Sequence, residues 1–273
     1  MIYSFDAGGT LIKGLNSGLN YKEFFNDFDN ITIDKSTTKV IVTGARANRL
    51  KKKLSNRYDV EIINEIQSIG SGGSYLSKKK NCYVVSVGSG SPIIDVSDGI
   101  ATHLVGTGMG AGTIFGLSSI YAKTDSLESI NVLAETGTGE KLNLAIDDIY
   151  DQSNFLNYPP STTVGNFAKQ TPSASRSDFI CSTMKMVAET LSSMVTACML
   201  NNIKKDVVIV GGGTLYPKFN QYIIETLNFY NLNGIVPEDA LYAGCYGALI
   251  QSGSLNEWIK TYNCCSRFDL QGR

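Results

Sequence analysis

The segment Asp6-Ala7-Gly8-Gly9-Thr10-Leu11-Ile12-Lys13 combines residue types that can bind a phosphate. Residues 2–6 form a mostly apolar run, so we predict a strand that delivers the Asp6 carboxylate to its C-terminal end. The two glycines permit a tight hairpin whose backbone N–H groups can approach a phosphate, and the threonine and lysine add a hydroxyl and a positive charge. The carboxylate can hold Mg²⁺, largely through water. The alternative is a plain β-hairpin with an acidic turn.

Two later segments repeat this arrangement of an apolar strand followed by glycines and hydroxyl side chains. They are Val87-Gly88-Ser89-Gly90-Ser91 and Val210-Gly211-Gly212-Gly213-Thr214. Either one alone could serve only the geometry of a turn, but three such strand ends on one chain favour a shared phosphate site. The chain has no Gly-x-x-x-x-Gly-Lys-Ser/Thr segment, which excludes a P-loop of the Walker type.

A fourth glycine-rich segment spans residues 106–117. Its first four glycines alternate with other residues, and we predict that a helix starts directly after them. The backbone N–H groups at the start of a helix form a favourable site for the phosphates of a nucleotide. The alternative is a flexible loop that binds no ligand.

Alternating strands and helices are predicted to position these four loops. The predicted strands cover residues 2–6, 11–15, 40–43, 83–87, 93–96, 100–104 and 207–210, with a further strand through Phe24 and Phe25. The predicted helices are one ending near Leu54, those over 127–134, 138–150, 217–229 and 243–250, and a long helix capped by Ser177 that reaches about residue 201. The dipeptide Asp98-Gly99 predicts a hairpin turn. Hairpins mixed with strand–helix units indicate an α/β protein whose strand ends form one site.

The composition bounds the class of protein. The chain has 273 residues, of which 42% are hydrophobic and 18% charged, enough for one large domain or two lobes. A formal charge of -1 gives no reason to expect a nucleic acid or a membrane as partner. We find no signal-peptide pattern and no apolar run approaching the ~18 residues of a membrane span.

The cysteines and the histidine bear on metals and on compartment. The chain has six cysteines, no Cys-x-x-Cys pair and one histidine, which argues against a zinc site and favours a reducing, cytoplasmic compartment. Cys264 and Cys265, in the polar C-terminal tail, are the pair best placed for oxidation.

The motifs resemble those of a known family. The three strand-end loops resemble the first phosphate, second phosphate and adenosine loops of the sugar-kinase, actin and chaperone ATPase superfamily. Residues 106–117 resemble the glycine-rich loop of the type II pantothenate kinases. Other family motifs follow in order over roughly residues 1–252: Thr43-Gly44-Ala45-Arg46-Ala47, residues 144–150, Gly165-Asn166-Phe167 and Gly244-Cys245-Tyr246-Gly247-Ala248-Leu249.

This resemblance implies an architecture. It is the α/β, two-lobed actin-like ATPase (ribonuclease H-like) fold, with mixed sheets and glycine-rich loops in the cleft between lobes. Residues 1–100 would form the N-terminal lobe and residues 101–273 the C-terminal lobe. A homodimer is implied as well, with the helix over residues 178–201 as a candidate interface element.

The resemblance also implies roles for individual residues. Glu65 falls at the place of the family's general base, in a Glu-x-Asp-Ala motif whose Asp is replaced here by Gln67; the alternative is an ordinary exposed glutamate before a helix. His103, with Gly106, would bind the acceptor, at a position where the family has an arginine. Asp6 and Lys13 join Glu65 as catalytic residues, and Asp6 is also the metal ligand. The residues implied to bind ATP are Gly8, Gly9, Thr10, Ser89, Ala111, Gly112, Thr113, Ile114, Phe115, Leu127 and Gly212.

The activity implied is phosphorylation of pantothenate by ATP with Mg²⁺, the first step of coenzyme A biosynthesis. One alternative is a related kinase for another small hydroxyl substrate, because a histidine lacks the fixed charge and fork geometry of an arginine. A nucleotide-binding paralogue without catalysis is a second alternative. Activators of acyl-CoA dehydratases, which hold an iron–sulfur cluster through cysteines in glycine-rich loops, fit less well, because no cysteine follows Asp6, Val87 or Gly106 in these loops.

Overall fold

The computed structural model describes residues 1–19, 21–150, 159–169, 173–199 and 206–255. Cys264 and Cys265 lie outside these ranges. The described strands are β1 (Ile2–Ala7), β2 (Ile12–Asn16), β3 (Lys22–Phe25), β4 (Lys39–Thr43), β5 (Asp59–Ile62), β6 (Cys82–Ser86), β7 (Ser91–Ser97), β8 (Ile100–Thr107), β9 (Leu144–Ala145), β10 (Thr163–Gly165), β11 (Asp206–Val210) and β12 (Asn233–Ile235). The described helices are α1 (Ala47–Leu54), α2 (Glu65–Ser77), α3 (Ala111–Tyr121), α4 (Leu127–Thr136), α5 (Arg176–Cys198), α6 (Pro217–Phe229) and α7 (Ala243–Gln251).

Two five-stranded sheets share one strand arrangement. The first has the order β3-β2-β1-β4-β5 and the second, read from its other edge, β8-β7-β6-β11-β12. In each, the central strand pairs antiparallel with a two-stranded hairpin on one side. On the other side it pairs parallel with a later strand, which in turn pairs parallel with the edge strand. The central strands β1 and β6 are almost wholly buried, since Phe5, Tyr83 and their neighbours lie in the hydrophobic cores. Their carboxyl ends carry the first and second glycine loops.

Helices α2 and α7 join the two sheets through their glycines. Helix α2 packs on the second sheet, whereas α7 packs on the first. Where the helices cross, a Cβ on Gly72 would lie 1.8 Å from the Ala243 carbonyl oxygen, and a Cβ on Gly247 would lie 1.7 Å from that of Ser68. Only glycine allows so close an approach, so this crossing fixes how α2, which begins at Glu65, sits against the first sheet.

Several predicted elements are confirmed. The Asp98-Gly99 turn joins β7 to β8, and both residues have positive φ, 49° and 84°, the conformation of a two-residue hairpin turn. The long helix is also present, but its N-cap is Ser175 rather than Ser177. The Ser175 Oγ accepts the Asp178 N–H at 3.1 Å, and the Asp178 carboxylate accepts the Ser175 N–H at 2.8 Å, a reciprocal capping box.

The predicted helix over residues 138–150 is wrong. That segment contains two single turns of 3₁₀ helix, Gly139–Lys141 and Ile146–Asp148, on either side of β9. Side chains there bind backbone groups that a helix would need: Asp148 accepts the Ala145 N–H at 2.9 Å. Asn143 accepts the Phe167 N–H at 3.0 Å. The Asp148 bond is local and competes with helix formation, whereas the Asn143 bond holds this segment to a distant part of the chain.

The predicted lobe boundary after residue 100 stays a prediction. Strands β6 and β7 precede it, yet pair in the sheet that continues with β8, β11 and β12. In the part of the chain that the structure describes, no helix is long and apolar enough to cross a membrane.

Candidate active site

Asp6 and Lys13 form a buried ion pair at the end of the first hairpin. They are direct cross-strand partners of β1 and β2. The Lys13 Nζ donates to Asp6 Oδ2 at 3.0 Å, and about a tenth of each side chain is exposed, 10% and 11%. Each charge compensates for the cost of burying the other. The pair therefore places one carboxylate and one ammonium at the base of the first glycine loop.

Backbone from three other segments closes on this pair. A Cβ on Gly44 would lie 2.5 Å from Asp6 Oδ1, and one on Gly244 would lie 2.8 Å from Asp6 Oδ2. A Cβ on Gly8 would lie 3.1 Å from the Lys13 Nζ. Gly44 also has a φ of 93°, which side chains rarely adopt. Larger residues at Gly44 and Gly244 would displace the carboxylate that the site needs.

Glu65 begins α2 and faces the same ion pair. Asn64 caps the helix by accepting the Gln67 N–H at 3.1 Å. Burial raises the pKa of the Glu65 carboxyl, and the negative charge of Asp6 raises that pKa further, against the opposing effects of Lys13 and of a hydrogen bond from the Ala45 N–H. A carboxylate of raised pKa is a stronger proton acceptor when ionised, which suits a general base.

The first and second loops meet at two hydroxyls. The Thr10 Oγ1 and Ser89 Oγ are 2.7 Å apart and share a hydrogen bond. A Cβ on Gly9 would lie 3.0 Å from the Ser89 Oγ, and one on Gly112 would lie 3.1 Å from the Ser89 carbonyl oxygen. Ser89 thus contacts both the first loop and the glycine-rich segment, and three predicted nucleotide-binding loops come together there.

The glycine-rich segment is part strand and part helix. Strand β8 continues to Thr107, and α3 begins at Ala111. A Cβ on Gly110 would lie 2.5 Å from the Gly88 carbonyl oxygen, and the Gly112 N–H donates to that oxygen at 3.2 Å. The second loop and the start of α3 are therefore in direct backbone contact.

The predicted nucleotide residues in and after α3 have different surroundings. Thr113 accepts the Gly110 N–H through its hydroxyl at 3.1 Å, and Phe115 is exposed. Ile114 is fully buried in the main core, so only its backbone could serve a ligand. Leu127, the first residue of α4, is partly buried against the same core.

The third loop, residues 211–214 after β11, contacts the first two loops. Gly211 has a φ of 90°, and the Gly213 N–H donates to the Val87 carbonyl at 2.7 Å. A Cβ on Gly212 would lie 3.8 Å from the Leu11 Cδ1 and 3.9 Å from the Ala111 Cβ. Gly212 therefore lies beside both the first loop and the start of α3.

His103 and Gly106 lie on the exposed edge of the second sheet. They belong to β8, and the register between β7 and β8 shifts at this point: Ile93 pairs with Val105 and Ile94 with His103. This bulge leaves Leu104 without a partner in β7. His103 is exposed, and a Cβ on Gly106 would lie 3.5 Å from its Nε2. The two predicted acceptor residues are thus neighbours on one accessible edge.

Two contributions to the site were missed by the sequence interpretation. The Ala45 N–H binds Glu65, and Gly244 abuts Asp6. Both segments carry family motifs, Thr43–Ala47 and Gly244–Leu249, and that order along the chain is the signal that could have located them. Their contacts depend on the tertiary fold, so no local pattern indicates them.

Two five-stranded sheets have the same topology, and glycine loops from both surround the Asp6–Lys13 ion pair. This arrangement defines the actin-like ATPase fold. Among solved structures the chain is similar to an activator of 2-hydroxyisocaproyl-CoA dehydratase from Clostridium difficile with bound ADPNP. The TM-score is 0.65 at 17% identity, over 97% of this chain and 98% of that one. It is also similar to component A of the Acidaminococcus fermentans (R)-2-hydroxyglutaryl-CoA dehydratase, with a TM-score of 0.62 at 19% identity, over 92% and 97%. At these identities the likeness concerns the fold alone.

The sequence comparisons identify the family. Residues 78–249 match the model of the family described as Fumble. The chain is 30% identical over 266 residues to a type II pantothenate kinase of Bacillus cereus, which covers 90% of this chain and 95% of the relative. It is 29% identical to the type II pantothenate kinase of Bacillus anthracis, with the same coverage. The chain belongs to the Fumble family, that of the type II pantothenate kinases.

Proposed function

We propose that this protein transfers the γ-phosphate of ATP to the primary hydroxyl of pantothenate, giving 4′-phosphopantothenate and ADP, the first step of coenzyme A biosynthesis. Membership of the type II pantothenate kinase family supports the reaction and the substrate. The observation that carries the proposal is the position of Glu65, whose half-buried carboxylate faces the Asp6–Lys13 pair where the phosphate loops meet.

In the proposed reaction Glu65 accepts the proton of the pantothenate hydroxyl. The hydroxyl oxygen then attacks the γ-phosphorus, the bond from that phosphorus to the β–γ bridging oxygen breaks, and ADP leaves. Lys13 and the loop N–H groups of Gly8 and Gly9 hold the phosphates, and Gly112, whose N–H binds the Gly88 carbonyl, lies beside them. The hydroxyls of Thr10 and Ser89, which lie 2.7 Å apart, would give up the hydrogen bond they share and both donate to the same phosphate group.

The residues present fit Mg²⁺ when it arrives with ATP. Mg²⁺ keeps most of its water and is commonly held by one or two carboxylates together with substrate phosphates. Asp6 supplies one such carboxylate, enclosed by the backbone of Gly44 and Gly244. Within the described residues, no group of three His, Cys, Asp or Glu side chains is arranged to hold a metal by itself. When bound, Mg²⁺ would neutralise phosphate charge beside Asp6.

The acceptor is proposed to lie between Glu65 and the β8 edge that carries His103 and Gly106. The nucleotide is proposed to lie among the loops, with its adenosine toward Gly212 and the start of α3. Ala111, Thr113, Phe115 and Leu127 flank that region, and Ile114 contributes only its backbone. A two-lobed chain, a homodimer and a cytoplasmic location remain proposals from the family.

A second candidate function is phosphorylation of another small alcohol. His103 motivates it, because a histidine stands where the family has an arginine, and the two differ in charge and in hydrogen-bond geometry. Activation of a dehydratase has less support: the likeness to such activators is confined to the fold, and the loops lack the cysteines that an iron–sulfur cluster needs.

The test is a panel of small alcohols incubated with ATP and Mg²⁺. The panel contains pantothenate, uncharged pantothenamides, pantetheine, glycerol and a hexose, and mass spectrometry records the phosphorylated product. We expect pantothenate to be phosphorylated with the highest kcat/KM. A preference for a different alcohol would replace the proposed acceptor, and ATP binding without any product would favour a paralogue without catalysis.

A further inference from the structure

Arg46 links helix α1 to the first phosphate loop. It follows Gly44 and Ala45, between β4 and α1. Its backbone N–H donates to the Ala7 carbonyl at 2.8 Å, and its side-chain Nε donates to the Gly8 carbonyl. These acceptors are the last residue of β1 and the first residue of the loop. Arg46 therefore binds the chain at the point where the loop leaves the sheet.

The guanidinium of Arg46 is fixed by an aromatic ring. Its Cζ lies 5.1 Å from the centroid of the buried Phe28 ring, within cation–π range. The Nη2 is buried and makes no hydrogen bond among the described residues. Arg49, one turn later, lies 5.3 Å from the same ring. The Arg46 side chain thus lies between the Phe28 ring and the Gly8 carbonyl, with its Nη2 out of water.

Residues next to Arg46 contact the other parts of the site. The Ala45 N–H binds the Glu65 carboxylate, and Gly44 abuts Asp6. One short segment, Gly44–Ala45–Arg46, thereby touches the candidate base, the candidate metal ligand and the loop. A displacement of this segment would therefore move all three.

We propose that Arg46 is a positioning residue for triphosphate binding. A backbone carbonyl that faced a phosphate would repel it, whereas backbone N–H groups attract it. By drawing the Gly8 carbonyl toward itself, Arg46 keeps that oxygen away from the cleft and leaves the loop N–H groups to the phosphates. Its planar fork is needed because the Nε binds the carbonyl while the guanidinium carbon lies 5.1 Å from the Phe28 ring centroid, which a lysine cannot reproduce. This inference rests on the nucleotide half of the proposed function and not on the identity of the acceptor.

The test measures nucleotide affinity by calorimetry for wild type, Arg46→Met and Arg46→Lys, with AMP-PNP plus Mg²⁺ and with adenosine. Arg49→Met is the matched control, since Arg49 stacks on the same ring and has no bond to the loop among the described contacts. We expect both Arg46 variants to lose about tenfold in affinity for AMP-PNP, the loss of one charge-assisted hydrogen bond. Adenosine affinity should stay unchanged, and Arg49→Met should bind both ligands as wild type does.

Three results would overturn the proposal: an equal loss of AMP-PNP and adenosine affinity, wild-type AMP-PNP affinity in Arg46→Lys, or the same loss in Arg49→Met. If Arg46→Met does not fold, Arg46→Lys, which keeps the charge and the aliphatic stem, decides the question alone. Wild-type protein that binds AMP-PNP but does not phosphorylate pantothenate would refute the proposed function and leave the Arg46 result intact.

Discussion

The side-chain amide of Gln67 pairs with the backbone of Ala101: its Nε2 donates to the Ala101 carbonyl at 2.6 Å, and its Oε1 accepts the Ala101 N–H at 3.4 Å. Gln67 lies just after Glu65 on α2, and Ala101 lies just before His103 on β8. Because β8 is an edge strand, this amide takes the place of a neighbouring strand. The helix of the candidate base is thereby attached to the strand of the candidate acceptor residue.

Glu65→Gln should remove turnover and spare nucleotide binding. The amide cannot accept the proton of the acceptor hydroxyl, and loss of a general base costs about 10²–10⁴ in rate. The measurements are kcat with pantothenate and the Kd for AMP-PNP. Near-normal kcat in the variant would show that Glu65 is not the base.

The same substitution should make stability depend less on pH. Since the folded-state pKa of Glu65 is raised above 4.5, the folded protein binds this proton more tightly than the unfolded chain does. The wild type therefore loses stability as pH rises from about the unfolded value through the folded pKa. Glu65→Gln lacks this loss, so it should have the higher Tm at pH 7, and the difference should vanish below the unfolded pKa. Equal Tm differences at pH 4 and pH 7 would contradict the raised pKa.

Asp6→Asn should lower both turnover and stability, because it leaves the Lys13 ammonium buried without its partner. Breaking a buried pair costs about 3–5 kcal/mol. Asp6→Asn combined with Lys13→Met removes both charges of the pair and should recover most of that stability, while turnover stays lost. Urea unfolding and kcat measure the two effects. If the double variant is no more stable than Asp6→Asn, the ion pair is not the cause.

His103→Arg should favour an anionic acceptor. The side chain lies on the exposed β8 edge, so the substitution needs no change in packing, and the guanidinium adds a fixed charge. We expect a lower KM for pantothenate, an unchanged KM for uncharged pantothenamides, and no change in KM for ATP. His103→Ala should raise the KM for both acceptors. A shift in the KM for ATP with either variant would place His103 outside the acceptor site.

Gly247→Ala should destabilise the protein, since the added methyl would collide with the Ser68 backbone at 1.7 Å. Overpacking of this kind costs about 1–3 kcal/mol. Gly116→Ala is the control: it lies within α3 with nothing within 4 Å of the new Cβ, and replacing a helical glycine by alanine should add about 0.5–1 kcal/mol. Thermal unfolding separates the two. Equal effects would mean that the α2–α7 crossing is looser than described.

Features that depend on short, local sequence patterns could be predicted from the sequence. The first hairpin, the Asp98-Gly99 turn and the helix α6 are as expected, because an apolar run followed by glycines, or a helix begun by Pro217, needs no distant partner. The three strand-end loops were likewise found from their glycines and hydroxyls.

The remaining features depend on tertiary contacts. The segment 65–77 is rich in glycine and serine, poor helix formers, and α2 is nonetheless a helix whose glycines let α7 approach. The wrong helix prediction over residues 138–150 has the opposite cause, because the composition there suits a helix. Asp148 instead binds the Ala145 N–H, and Asn143 binds the distant Phe167 N–H. The role of Arg46 was also hidden, because Gly8 and Phe28 are remote from it in sequence.

The Thr10–Ser89 hydrogen bond joins equivalent positions of two sheets with the same topology. The turn after β1 covers residues 8–11 and the turn after β6 covers residues 87–90, so these two hydroxyl residues each occupy the third position of corresponding turns in two sheets of the same topology. A contact between the same position of two like units is the kind found at the twofold axis of a homodimer. The protein can therefore be treated as two related halves in one chain, and the proposed phosphate site lies where they meet. Asp6, Lys13 and Glu65 all belong to the first half, so the two halves contribute different groups to the proposed reaction.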